Sequence, residues 1–76
     1  MNPTPSMQML KRMAALLGLR IASARNASGE TFHVAVVPDA AKATGLSDRQ
    51  MAERAIEAGT AMTLDELVEC LQRRGF

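Results

Sequence analysis

The chain has no tryptophan, no tyrosine and a single cysteine, Cys70. Each shortage excludes something. One cysteine rules out an internal disulfide framework, and with one histidine, His33, it is too little for a Cys/His metal site. A lone thiol fits a reducing compartment, and the reading is a cytoplasmic protein. With two phenylalanines as the whole aromatic content, a core has to be built from Leu, Met, Val, Ile and Ala. No run of apolar residues approaches the length that crosses a bilayer, so no membrane span is expected. Acid is missing from the first third. Residues 1–25 carry Lys11, Arg12, Arg20 and Arg25 and no carboxylate, whereas residues 26–76 carry five basic and eight acidic side chains. A basic start is thus joined to an acidic remainder.

That start has the order of a secretory leader: Lys11-Arg12, an apolar run from Met13 to Leu19, then Ala22-Ser23-Ala24. The run is seven residues long before Arg20 ends it, short for the apolar region of such a leader. A folded, uncleaved segment is the reading taken.

What is abundant is small-domain material. Seventy-six residues make one domain, near the lower size limit for an unassisted core. Residues 1–6 (MNPTPS) form a flexible Pro-rich lead-in, and residues 7–76 the single α+β domain. Thr4 with Pro5, or else Ser6, is placed to cap a first helix. From Met7 to about Leu17, apolar residues at Met9, Leu10, Met13, Leu16 and Leu17 recur at helical spacing, and Gly18 stops the helix. More than half its circumference is apolar, more than one contact face requires. The period then changes. Arg20–Arg25 and Thr31–Val37 read as two antiparallel strands joined by Asn26 to Glu30. Phe32, Val34 and Val36 make one strongly apolar face, and His33, Ala35 and Val37 a mixed one. Two strands alone are barely stable, so the helices must cover them. Pro38 ends the second strand, and Asp39 caps a short helical turn through Lys42 that Gly45 closes.

The last thirty residues repeat one pattern. Leu46-Ser47-Asp48-Arg49-Gln50-Met51 and Met62-Thr63-Leu64-Asp65-Glu66-Leu67 each place a hydroxyl residue three positions before Gln or Glu, a capping box. Each also has an apolar residue on either side of the cap, the makings of a hydrophobic staple. Gly59 and Gly75 close the two copies. The pattern predicts helices over 48–58 and 64–74, so the expected order is α-β-β-α-α.

Catalytic material is scarce. His33 and Cys70 are the sole nucleophile–base candidates, with no third orienting group and no oxyanion site in view. The plainer reading is a half-exposed strand histidine and a small buried hydrophobe. Asp65, Glu66 and Glu69 share a helical face, and without loop oxygens such a face is a solvated one rather than a metal cage. No Gly-rich phosphate loop follows a strand, so neither enzyme activity nor a cofactor is expected.

Two short helices around a Gly-containing turn also suit DNA binding. Arg49-Gln50-Met51-Ala52-Glu53 resembles the first helix of helix-turn-helix repressors, a likeness five residues long. Those families place a glycine about four residues past the alanine, while Gly59 stands seven past Ala52. A second helix used for recognition would bring Asp65, Glu66 and Glu69 to the phosphates, the wrong sign for DNA affinity. A ribbon-helix-helix arrangement would put Thr31, His33, Ala35 and Val37 into the groove, with no Arg, Lys, Asn or Gln to read bases. A small DNA-binding regulator of either type is the alternative; nucleic acid is disfavoured. Membrane-surface binding by the first helix is weaker still, since two charges and no aromatic anchor is a poor interfacial pattern.

The excess apolar surface of the first helix is best used on another protein. The sequence therefore predicts a non-catalytic interaction module, an adaptor or inhibitor, acting as a homodimer. Met9, Met13 and Leu16 would form the contact, and Asp65, Glu66 and Glu69 would steer a basic partner.

Overall fold

A computed structural model of the protein describes residues 6–75. The elements are α1 (Met7–Leu16), β1 (Arg20–Arg25), β2 (Thr31–Val36), α2 (Pro38–Thr44), α3 (Asp48–Ala58) and α4 (Leu64–Arg73). The architecture is α+β, with one helix more than the five-element order expected. Residues 1–5 of the lead-in expected over 1–6, and with them the Thr4–Pro5 capping option, lie outside the described residues; Ser6, its last residue, is the cap that forms. Its hydroxyl accepts from the Met9 N–H at 3.2 Å. At the other end of α1, the Leu19 N–H bonds the Ala14 carbonyl and the Gly18 N–H the Ala15 carbonyl. These two bonds are a Schellman closure, which satisfies carbonyls that the helix itself leaves open.

Both capping boxes form. Ser47 accepts from the Gln50 N–H while Gln50 Oε1 accepts from the Ser47 N–H, and Thr63 and Glu66 do the same. Gly59 then ends α3 at φ +74°, a left-handed conformation that a Cβ would strain, and the Thr60 N–H reaches back to the Ala55 carbonyl. The second copy ends differently. Arg74 stays right-handed at φ −85°, and Gly75 sits at φ +148°, far from the left-handed well. The expected parallel between Gly59 and Gly75 is corrected accordingly: the repeat holds at the helix starts, not at the ends.

The added element is α2. Only a turn from Asp39 to Lys42 was expected, but Pro38 itself opens the helix, Val37 leaves the strand to become its N-cap, and Gly45 follows at φ +69°. Proline is at home in the first helical position, where its missing N–H is an orphan in any case and its φ is already helical. The signal taken as the end of a strand is equally the start of a helix.

β1 and β2 pair antiparallel, with Ala22 opposite Val34, Ser23 opposite His33 and Ala24 opposite Phe32. The period of two sends Ala22, Ala24, Val34 and Val36 to one face, where they pack with Ala41 of α2 and with Met51, Ala52 and Ile56 of α3. The other face is not a solvated one. Ile21 joins Leu10 and Ala14 of α1 and Leu67 and Leu71 of α4 in a second cluster. The hairpin is thus a central layer between α3 on one side and α1 with α4 on the other. Leu10, Leu67 and Leu71 are fully buried there, each contributing about 1.5–3 kcal/mol of transfer free energy. A two-stranded ribbon that could not stand alone is held from both sides.

Candidate interaction surface

Position 33 shows first what the second face does. His33 is 7% exposed, so the half-exposed histidine expected from the mixed face is corrected to a buried one. Its main-chain N–H and C=O both bond Met62, at 2.7 Å each. Those groups therefore point away from β1, and Ser23 and His33 form a non-hydrogen-bonded cross-strand pair, in which side chains stand closest. Ser23 Oγ lies 2.6 Å from His33 Nδ1. Burial pushes the imidazole below its ordinary pKa, because the charged form loses more hydration than the neutral one. The partner of His33 is Ser23 rather than Cys70, which is half-buried on α4 and not the buried hydrophobe expected. The register that five connecting residues impose already places 23 opposite 33 and was the available signal for this pair. A hydroxyl bonded to a buried imidazole holds strand to strand, and among the described residues no further polar group bonds the ring.

The residues expected to meet a partner fall in the α1–α4 layer. Met9 and Leu16 lie outside, 54% and 78% exposed, seven residues apart and so on one stripe of α1. Met13, expected at the centre of that stripe, is half-buried and packs on the cluster of Leu10, Ala14 and Leu71. The rotation of α1 explains this: Leu10 and Ala14 take the innermost positions, Met13 lies beside them, and Met9 and Leu16 complete the turn to solvent. The over-apolar helix does bury one face and leave part of another uncovered.

On α4, Asp65, Glu66 and Glu69 are exposed. They are not equivalent. Glu66 is committed to its capping box, and the Thr63 main-chain N–H holds its carboxyl below the usual range. Glu69 accepts from Arg73 at 2.7 Å. Asp65 is the one of the three whose side chain has neither a hydrogen bond nor an ion pair among the described residues. An acidic face remains, with two of its three members already engaged.

The tandem helices α3 and α4 do not pack as a pair; they lie on opposite faces of the hairpin, and Met62 between them is bridged to His33. A helix-turn-helix unit needs two helices packed across their turn, and a ribbon reader needs one sheet face open. α3 and α4 do not form such a pair, and both faces of the hairpin are covered by helices. Among the described residues, no three His, Cys, Asp or Glu side chains gather closely enough to hold a metal ion. Among the same residues, no helix is long and apolar enough to cross a membrane. Compared with protein-family models, with curated proteins and with solved structures, the chain matches none.

Proposed function

We propose that this protein is a non-catalytic protein–protein interaction module, an adaptor or inhibitor of a cytoplasmic partner, and that it works as a homodimer through the outer stripe of α1. The observation that supports this reading is the exposure of Met9 and Leu16 at an i, i+7 spacing, beside a helix face already packed into the core. Apolar atoms make up more than half of any protein surface, so exposure by itself counts for little. Its alignment along one stripe is what favours a contact. Methionine suits such a surface because its unbranched side chain repacks against whatever arrives. In a two-fold dimer each Met9 and Leu16 would meet the same stripe of the other copy. The face with Asp65 and Glu69 would then steer a basic partner toward the assembly. Size-exclusion chromatography with light scattering over a concentration series tests the first step. A dimer mass that Met9→Asp converts to monomer supports the reading. A monomer at every concentration in the unmodified protein removes it.

A further inference from the structure

The outer edge of β1 is open. Because His33 turns its main-chain groups toward Met62, the pairs Ile21–Ala35, Ser23–His33 and Arg25–Thr31 are the non-hydrogen-bonded ones of the ladder. The N–H and C=O groups of Ile21, Ser23 and Arg25 therefore point away from β2, and among the described residues nothing bonds them. The Asn26 N–H bonds the Glu30 carbonyl at 2.9 Å, which fixes the same alternation from the other end. The far edge of β2 is occupied in part by Met62, but β1 has no such neighbour among the described residues.

Two depressions border this edge. One, of about 560 Å³, gathers Lys11 and Ala15 of α1, Arg20 and Ile21 of β1, and Asp48 of α3. The other, of about 410 Å³, lies among Ser23, Ala24, Arg25, Thr31 and Arg49. It takes residues from both faces of β1, as a groove along a strand edge must. The charge there is one-sided. Lys11 and Arg20 line the first depression and Arg25 and Arg49 the second, against Asp48, which bonds Arg20 at 2.7 Å, and Glu53, which stands 3.9 Å from Arg49. Two positive charges are in surplus, and Lys11 and Arg25 form no ion pair among the described residues.

We propose that the β1 edge binds an extended acidic segment of another protein, which adds as a third strand beside β1. Main-chain bonds to Ile21, Ser23 and Arg25 would hold it, and its carboxylates would meet Lys11 and Arg25. This site is separate from the α1 stripe. A second copy of β1 is the poorer occupant: antiparallel pairing about Ser23 sets Arg20 opposite the other copy's Asn26 and Arg25 opposite its Ile21, so two strands that each carry arginines and no acid would run side by side. Charges at the ends of an edge strand discourage self-pairing in this way while leaving the edge attractive to an anionic strand.

The probe is a fluorescein-labelled peptide of about seven residues, alternating glutamate and valine, long enough to span the strand. Fluorescence anisotropy against the full chain is expected to show binding that weakens with salt. N-methylation of the peptide along one edge should weaken it about tenfold or more, since main-chain donors are lost. A lysine–valine peptide should not bind. On the protein, Ser23→Pro removes an outward N–H, a change an edge strand tolerates, and should abolish binding, while Ser23→Ala, which keeps that N–H, should not. Should Ser23→Pro not fold, the N-methylated peptide on the unmodified protein decides alone. The proposal is overturned if the acidic peptide fails to bind, if N-methylation leaves its affinity unchanged, if the lysine peptide binds equally, or if Ser23→Pro dissolves a dimer of the chain, which would give the edge to a second copy.

Discussion

Replacing Ser23 by alanine deletes one hydroxyl and leaves a buried imidazole nitrogen without its protein partner. The two atoms are 2.6 Å apart, and His33 is 7% exposed. A buried polar group deprived of its bond costs about 1–3 kcal/mol. Ser23 itself is exposed, so water can enter the vacated position and bring the cost toward about 1 kcal/mol. In a domain of this size that is about 4–8 °C in Tm, readable by circular dichroism. The pH dependence belongs to His33. Its folded pKa lies below the unfolded value of 6.5, so the unfolded chain takes up a proton first as the medium is acidified. Stability present above 6.5 is lost as pH falls through the folded pKa. Ser23→Ala keeps the direction of that slope, because the helices still cover the ring, whereas His33→Leu removes it. Melts of Ser23→Ala within about 1 °C of wild type would refute the bonded pair. Equal stability of the unmodified protein at about pH 8 and about pH 5 would refute the burial.

Two further changes probe the frame. Leu67→Ala, at a fully buried position under the hairpin, costs about 3–5 kcal/mol. For 76 residues that is a large part of a total near about 4–11 kcal/mol, so urea titration is expected to find the variant largely unfolded near 37 °C. Thr63→Ala removes one half of a capping box and costs about 1 kcal/mol, while Thr63→Ser is nearly neutral in the same titration. Glu66 adds an acid limit of its own: with its carboxyl held below 4.5, the stability it contributes above that value disappears as pH falls through its folded pKa, at lower pH than the loss from His33.

The helix starts were legible because a capping box is a local object: four consecutive residues carry the whole signal, and both copies form as read. The hairpin was legible for a similar reason, since alternation and five connecting residues set its register. What escaped was decided between distant segments. Nothing near His33 states that α1 and α4 cover its face, so a residue on a mixed strand face was read as half-exposed. Met13 was placed by spacing on the uncovered stripe, but α1 turns Leu10 and Ala14 innermost and carries Met13 onto the edge of the core. Pro38 carried two local meanings, strand end and helix start, and the structure uses the second. That Met62 partly fills the outer edge of β2, by pairing with His33 29 positions away, is a contact that no local pattern announces.

The most direct test of the interaction reading is sedimentation equilibrium of the unmodified chain beside Leu16→Lys. Leu16 is 78% exposed in the last turn of α1, where a cation suits the helix dipole, so the variant should melt with the wild type. The account predicts a dimer for the unmodified protein and a monomer for Leu16→Lys at the same concentrations. Equal masses for the two proteins, whether monomer or dimer, would contradict it.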